Sequence, residues 1–248
     1  RTVMSRLIPS LFRDSHPHRL APFFRRLRDS LAALAPEGGR DDPRVVIMTP
    51  GAHNETYFEH LHLSNYLDYT LIEGANLTVR DGRVWLKSVS GLEPVDVILR
   101  RVDDHYCDPL ELRPDSLLGV PGLLEVVRRG RVAIANPLGA GVLESPGLMA
   151  FLPRLAKHLL GQELRLPSVA TWWCGQQAEL DYVLANLPTL VLRSINRAAG
   201  SRPVFGEQLD NAALASWRER IRAQPHLYVG QEQLPPSSAP TLRNGLLE

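Results

Sequence analysis

The 248-residue chain is predicted to be an α/β protein, with a mostly parallel sheet and flanking helices followed by a smaller α+β lobe. Two observations predict this class. Short apolar runs alternate with amphipathic helical patterns, as in parallel sheets built from crossover units. Polar residues directly follow several of the apolar runs, and such sheets collect ligands at the carboxyl ends of their strands.

The pattern divides the chain into three segments. Residues 1–43 are predicted to form an N-terminal helical segment, residues 44–142 an α/β domain and residues 143–248 a second lobe. With 44% hydrophobic and 22% charged residues, the chain is long enough for one large or two small globular cores.

Apolar periodicity sets the elements of the first two segments. Asn54 suits the N-cap of a helix, and Asp81-Gly82 suits a tight primed turn between two strands. In chain order, the predicted elements are helix 22–34, strand 45–49, helix 55–67, strand 70–73, hairpin strands 77–80 and 83–87, strand 95–100, helix 122–129 and strand 132–135.

The third segment alternates in the same way. Ser145-Pro146 is typical of a helix start, and the following leucines share one face to Leu159, with Pro153 as the expected site of a kink. The other predicted elements are helix 176–186, strand 189–193, a polar loop over 194–203, helix 211–223, strand 226–229 and a Pro- and Ser-rich stretch over 234–242.

The stretch 95–109 has the most unusual pattern. An apolar strand ends at Arg100 and Arg101, and Asp103, Asp104 and Asp108 follow. Arginine forks suit carboxylate or phosphate, while aspartates accept from an amine or bind a hard cation. An ion-pair network that serves only the fold would have the same pattern, so the residues alone leave both interpretations open.

The motifs that follow resemble those of one family. Paired arginines and aspartates, SLLGVPGLL at 116–124 and AIANPLGAGV at 133–142 occur in the order found in the circularly permuted ATP-grasp family. The resemblance covers nearly the whole chain and extends to relatives similar to glutathionylspermidine synthetase. It implies an ATP-dependent ligase that joins a carboxylate to an amine through an acyl phosphate. The second segment then corresponds to a pre-ATP-grasp-like substrate domain, and the third to part of a nucleotide-binding lobe.

The resemblance also implies roles for particular residues. Those expected to bind substrate are Asn54, Glu59, Arg100, Arg101, Asp103, Asp104 and Asn136. Those expected to bind ATP are Arg193, Gln231 and Glu232. Magnesium is expected to be held mostly by parts of the fold outside this chain, with no metal ligands assigned here. Catalytic residues stay unknown. The expected partners are small or peptide-like amines and carboxylates and the remainder of the ATP-grasp fold.

The chain departs from the family pattern at two places. Arg193 stands where many relatives have a phosphate-binding lysine, and an arginine keeps the charge with a different geometry. After the glycines of the second motif, relatives have an acidic pair and a lysine, whereas this chain has Leu143-Glu144-Ser145-Pro146-Gly147. Either nucleotide is handled differently in this subgroup or the nucleotide site has decayed.

Composition narrows the class of protein further. The net charge of +1 argues against nucleic-acid binding through phosphate neutralisation. Cys107 and Cys174 are too few for a disulfide framework. With no membrane span or signal peptide, a cytoplasmic location is expected. The first residue is not Met and the chain stops at Leu247-Glu248, so we expect an internal fragment. The resemblance implies the same, because family members continue on both sides of this span, and it implies that the piece is inactive as isolated.

Two other classes remain open. The first is a catalytically inert scaffold or interaction module that keeps the ATP-grasp-like fold. The second is a metal-dependent hydrolase using the histidine-rich stretch His53, Glu59, His60 and His62. The hydrolase is the minor alternative, because His60 and His62 point about 200° apart on a helix and lack metalloprotease spacing.

Overall fold

The computed structural model describes residues 2–16, 18, 20–196, 202–236, 242–243 and 246–247. The chain divides into two compact units, residues 1–139 and 140–248. Across the described ranges, no helix combines the length and apolar character needed to cross a membrane.

The first unit alternates helices with short strands. Its elements are α1 (Thr2–Leu7), α2 (Pro9–Asp14), α3 (Ala21–Ala32), β1 (Val45–Met48), α4 (Tyr57–Leu67), β2 (Thr70–Ile72), β3 (Leu77–Arg80), β4 (Arg83–Ser88), β5 (Gly91–Pro94), β6 (Val97–Arg100), α5 (Leu123–Arg128) and β7 (Ala133–Ala135).

A parallel sheet in the order β2-β1-β6-β7 organises this unit. Val45 pairs with Val97, and Met48 pairs with Arg100, so β1 and β6 end side by side. Every side chain of the central strand β1 is buried, as expected for a strand covered on both faces. Full burial of one such aliphatic side chain contributes roughly 1.5–3 kcal/mol.

Different layers cover the two faces of the parallel sheet. On one face, Ile47 and Val97 pack with Leu31 of α3 and Leu67 of α4. On the other face, the core includes Val46, Met48 and Ile98 of the sheet, Val84 and Leu86 of the separate antiparallel sheet β3-β4-β5, and Leu123 and Val126 of α5.

The SLLGVPGLL segment fastens the loop after β6 to this core. A Cβ at Gly119 would overlap the carbonyl oxygen of Tyr106, so only glycine permits this approach of two backbones. Asp108 is fully buried and accepts hydrogen bonds from the backbone N–H groups of Gly122 at 3.1 Å and Leu124 at 2.9 Å. The segment therefore fixes where the loop carrying Asp103 and Asp104 lies.

The second unit is built on an antiparallel sheet in the order β10-β9-β11-β8. Its elements are α6 (Pro146–Met149), α7 (Leu152–Leu160), β8 (Thr171–Trp173), α8 (Gln177–Asn186), β9 (Leu190–Ser194), β10 (Val204–Phe205), α9 (Asn211–Ala223), β11 (Tyr228–Glu232), β12 (Leu242–Arg243) and β13 (Leu246–Leu247).

The core of the second unit lies on one face of its sheet. Leu190 and Leu192 point to that face and pack with Val183 of α8 and with Leu214 and Ile221 of α9. Because side chains alternate along a strand, Val191 and Arg193 point to the opposite face.

Most predicted elements are confirmed, and the differences have local causes. The prediction of one helix from Ser145 to Leu159 is wrong. The segment forms two helices, α6 and α7, which are separated at Ala150–Phe151. Strands β5, β8, β10, β12 and β13 were not predicted. Parts of the polar loop 194–203 and of the stretch 234–242 lie outside the described residues.

The close backbone contact at Gly119 gives a test of the fold. Gly119→Ala is expected to destabilise the first unit by about 2–3 kcal/mol, because the added methyl group overlaps the Tyr106 carbonyl. Gly130→Ala is the control: it adds a methyl in open space at φ +63° and should cost about 1 kcal/mol of backbone strain. Hydrogen exchange of β1 and β6 amides in urea measures both, and equal losses would contradict the steric explanation.

Candidate functional site

The carboxyl ends of the parallel strands gather polar residues at one edge of the first unit. Thr49 follows β1, Glu73 follows β2, Arg101 follows β6 and Asn136 follows β7. The backbone N–H of Arg101 donates to the Met48 carbonyl at 2.8 Å, which ties the end of β6 to that of β1. The polar residues that follow these strands therefore lie along one edge of the parallel sheet.

Arg100 joins the loops that follow β6 and β7. Its Nη1 donates to the Val102 carbonyl at 2.6 Å and its Nε to the Asn136 carbonyl at 3.1 Å. The guanidinium also forms an ion pair with Asp104, whose Oδ2 accepts from the Gly139 backbone N–H at 2.9 Å. Arg100 and Asp104 are thus occupied by protein groups and frame the edge.

The neighbouring charges Arg101 and Asp103 are presented differently. Both residues are exposed, and neither side chain makes a hydrogen bond or ion pair with any residue in the described ranges. The cysteine between these loops and the core is no nucleophile, because burial raises the pKa of Cys107 to about 11. Arg101 and Asp103 are therefore available to a ligand in a way that Arg100 and Asp104 are not.

A chain of hydrogen bonds runs from the end of β1 into the first turn of α4. Thr49 Oγ1 lies 2.9 Å from His60 Nδ1, and Thr56 Oγ1 lies 3.0 Å from His60 Nε2. Thr56 in turn donates to Asn54 Oδ1, from its hydroxyl at 2.6 Å and from its backbone N–H at 3.0 Å. At the other end, the Gly51 N–H donates to Thr49 Oγ1.

The direction of this chain assigns the protonation of His60. Because the Thr56 hydroxyl donates to Asn54, it can only accept from His60 Nε2–H, which leaves Nδ1 to accept from Thr49. The ring is 1% exposed, and this burial is the main cause that lowers the pKa of His60. The Arg101 guanidinium lowers the pKa further, whereas the Glu59 carboxylate raises it. His60 is therefore a neutral, buried histidine beneath the polar edge.

Asn54 and Glu59, the other predicted substrate residues of this edge, lie on either side of Thr56. Asn54 was expected to cap the helix directly, but α4 starts at Tyr57 and its N-cap is Thr56. Asn54 instead holds Thr56 through the two bonds to Oδ1. Glu59 is exposed in the first turn of α4, where a carboxylate is favoured by the helix dipole.

The histidine-rich stretch does not form a metal centre in the described part of the chain. No group of three or more His, Cys, Asp or Glu residues there could hold a metal ion. His53 and His62 are exposed, and both ring nitrogens of His60 contact threonine hydroxyls. The hydrolase alternative therefore loses the cluster on which it depended.

A pocket of about 230 Å³ lies in the second unit, beside β9 and β11. It brings together Arg193, Gln231 and Glu232, the three residues predicted to bind ATP. Apolar side chains complete the walls, among them Val191 and Phe205. A concave site with apolar walls and a few polar groups suits a flat heterocycle carrying charged substituents.

Gln231 holds the polar side of this pocket in place. Gln231 was expected to follow a strand over 226–229, but β11 continues to Glu232 because its pairing with β9 extends to Leu190. The Gln231 side chain is nearly buried, accepts from Arg193 Nη1 at 3.2 Å and donates to Thr171 Oγ1 at 3.0 Å. Glu232, the next residue, is exposed.

Comparison with known proteins places the chain in a family. A model of the family described as circularly permuted ATP-grasp type 2 matches residues 1–248, the whole chain. The chain belongs to this family. This match indicates an ATP-dependent ligase-type domain, and the mixed parallel and antiparallel α/β architecture agrees with an ATP-grasp-type fold.

Relatives of this permuted ATP-grasp chain are longer proteins. The uncharacterized protein Rv2567 of Mycobacterium tuberculosis is 42% identical over 247 residues, which cover 100% of this chain and 28% of that protein. The uncharacterized protein sll0335 of Synechocystis is 39% identical over 98% of this chain and 50% of its own length. The uncharacterized protein Rv2411c of M. tuberculosis is 34% identical over 100% of this chain and 45% of its own length. The chain thus spans half the length or less of these relatives.

Sequence reasoning missed the threonines that hold His60. Thr56 stands four residues before His60, the spacing at which helix side chains meet, so this contact was readable from the sequence. The contact from Thr49 depends on how α4 packs beside β1, which no local pattern reveals.

The buried histidine gives a pH dependence with a definite sign. Since the pKa of His60 is lowered in the folded state, the unfolded state binds a proton first near pH 6.5. Stability should therefore fall as the pH drops below about 7, by at most about 1.4 kcal/mol per pH unit, until the native pKa is reached. Urea unfolding of the wild type and of His60→Gln at pH 7.5 and 5.5 measures this, with His62→Gln as the exposed control. If His60→Gln loses as much stability on acidification as the wild type, the assignment is wrong.

Proposed function

We propose that this chain is part of an ATP-dependent carboxylate–amine ligase that forms an amide bond through an acyl phosphate. The observation that carries the proposal is the pocket of the second unit, where Arg193, Gln231 and Glu232 meet beside apolar walls in an ATP-grasp family member. The reaction and its substrates go beyond what the family membership itself states.

The proposed chemistry has two balanced steps. A substrate carboxylate attacks the γ-phosphorus of ATP, which forms the acyl phosphate and releases ADP. The amine then attacks the acyl carbon, loses a proton and displaces inorganic phosphate. Both steps require that phosphate charge be neutralised and that the reactants be aligned.

The nucleotide roles follow from the pocket. Arg193 would neutralise phosphate charge, because its guanidinium lies on the pocket face and, within the described residues, donates from Nη1 to Gln231 alone. Glu232, exposed at the end of β11, would accept from ribose hydroxyls. Magnesium would shield the phosphates when bound, and following the family resemblance we assign most of its ligands to the remainder of the fold.

The substrate roles follow from the edge of the parallel sheet. Arg101 would meet a carboxylate, while the exposed carboxylates of Asp103 and Glu59 suit an ammonium group. Arg100 and Asp104, together with the Asn136 carbonyl, would set the shape of the edge. A small or peptide-like amine and carboxylate fit this mixture of charges.

The finer assignments belong to the same proposal. Residues 1–43 would be an N-terminal helical segment, residues 44–142 a pre-ATP-grasp-like substrate domain, and residues 143–248 part of the nucleotide-binding lobe. We also propose a likeness to glutathionylspermidine synthetase, a cytoplasmic location, no nucleic-acid partner and no activity for this piece alone.

An inert ATP-grasp-like scaffold is the second candidate. The observation that favours it is the stretch 143–147, Leu-Glu-Ser-Pro-Gly, which lacks the acidic pair and lysine expected there. Nucleotide binding and turnover separate the two candidates.

The nucleotide assignment is tested by calorimetry with Mg-ATP on the full-length protein. Arg193→Ala is expected to weaken binding about tenfold or more, since a charge-assisted phosphate contact is lost. Arg222→Ala removes an exposed arginine of α9 and should leave the affinity unchanged. If neither the wild type nor the variants bind Mg-ATP, the scaffold is favoured.

The ligase assignment is tested by release of ADP and phosphate in the presence of pooled amines and carboxylic acids. Arg101→Ala should lower kcat/KM at least tenfold, because the exposed cation at the sheet edge no longer meets the substrate. Arg80→Ala, at an exposed hairpin arginine, is the matched control. Turnover by the wild type that Arg101→Ala leaves intact would contradict the role of Arg101.

A further inference from the structure

The hydrogen bonds around Asn54 decide which end of its amide stays available. The backbone N–H of Thr56 can only donate, so the Asn54 atom 3.0 Å away is Oδ1, and the Thr56 hydroxyl donates to the same oxygen. The amide nitrogen of the half-buried Asn54 makes no hydrogen bond to any described residue. Both bonds from Thr56 therefore use Asn54 Oδ1, and the amide N–H groups of Asn54 are left without a described partner.

His60 enforces this orientation without reaching the edge itself. Its ring is 1% exposed and connects Thr49, after β1, to Thr56, at the start of α4. In the Nε2–H form the ring donates to the Thr56 hydroxyl, which then has its own proton free for Asn54. In the Nδ1–H form Thr56 would have to donate to the ring instead, and Asn54 Oδ1 would lose one of its two bonds.

A second donor lies on the same side of the sheet. The side chain of Arg101 is exposed and makes no hydrogen bond to a described residue. The Arg101 backbone N–H donates to the carbonyl of Met48, the residue before the Thr49 that contacts His60, so Arg101 lies close to the histidine. Its guanidinium opposes protonation of His60, and Glu59 of α4 acts in the other direction. The Asn54 amide N–H and the Arg101 guanidinium are both hydrogen-bond donors that need an acceptor. A carboxylate is the substrate group that accepts from both.

We infer that His60 is a positioning residue whose neutral ring, acting through Thr56, turns the Asn54 amide so that its nitrogen and the Arg101 guanidinium together recognise a substrate carboxylate. The inference rests on the proposed function and deepens it by assigning the carboxylate reactant to Asn54 and Arg101. Arg100 takes no part in this recognition, because its donors are used within the protein.

The experiment is an NMR titration of the full-length protein with N-acetylglycine and, separately, with N-acetylglycinamide. N-acetylglycine is expected to shift the signals of the Asn54 side-chain amide and of Arg101 Nε–H, whereas the uncharged amide should not. Asn54→Asp keeps the acceptor for Thr56 but replaces the donor with an anionic oxygen, so the affinity should fall about tenfold or more.

Thr56 variants separate the positioning role of His60 from simple structural support. Thr56→Val removes the hydroxyl between His60 and Asn54 and should weaken N-acetylglycine binding about three- to tenfold, while Thr56→Ser should restore it. Spectra of ¹⁵N-labelled histidine should show His60 as the neutral Nε2–H form at pH 7. His62→Gln, on the exposed side of α4, should change neither binding nor the His60 signals.

Four outcomes would overturn the inference. These are an Nδ1–H or imidazolium form of His60 at pH 7, equal binding of the acid and the amide, no binding of N-acetylglycine, and Thr56→Ser as weak as Thr56→Val. All are measured without nucleotide. A failure to bind Mg-ATP would therefore count against the proposed ligase while leaving this result unaffected.

Discussion

The candidate substrate edge depends on the guanidinium of Arg100. A guanidinium carries five N–H donors in one rigid plane, and here they meet the carbonyls of Val102 and Asn136 and the carboxylate of Asp104. One side chain thus holds the loops after β6 and β7 in a fixed relation. Because successive side chains of an extended chain point to opposite sides, the next arginine, Arg101, is left exposed at the same edge. Of the two adjacent arginines, Arg100 therefore stabilises the loops and Arg101 remains exposed.

On the β1 side of this edge, a buried series of hydrogen bonds stabilises the structure, in place of the ion pair of Arg100. Every ring nitrogen and hydroxyl from Thr49 through His60 to Thr56 has a partner, which is the condition under which buried polar groups are tolerated. Protonation of His60 would put a buried cation near the exposed guanidinium of Arg101, so desolvation and charge repulsion act together to keep the ring neutral. The exposed guanidinium of Arg101 then lies near a histidine ring whose neutral form is favoured by its surroundings.

Local chemistry made much of the fold predictable. The helix predicted over 211–223 has the bounds of α9, and the Asp81-Gly82 turn joins β3 to β4 with both residues at positive φ. The apolar run predicted as a strand over 45–49 forms β1, whose side chains are all buried. The sequence could not predict that Arg100 binds protein groups while Arg101 stays exposed, because the Asn136 carbonyl that accepts from Arg100 lies 36 residues away along the chain. Tertiary contacts, and not the local pattern, separate the structural arginine from the available one.

The same reasoning bears on Arg193 of the proposed nucleotide pocket, which stands where many relatives have a phosphate-binding lysine. A lysine is a compact point charge on a flexible stem, whereas the guanidinium of Arg193 can donate to Gln231 Oε1 with one N–H and keep others for an anion. Gln231 is itself held by Thr171, so the orientation of Arg193 is set by a nearly buried amide on the neighbouring strand. Such an arrangement restricts the rotamers of Arg193 before any ligand arrives, which lowers the entropy cost of binding. Arg193 and Gln231 therefore form a unit that a lysine could not replace alone, and the arginine is compatible with an adapted nucleotide site.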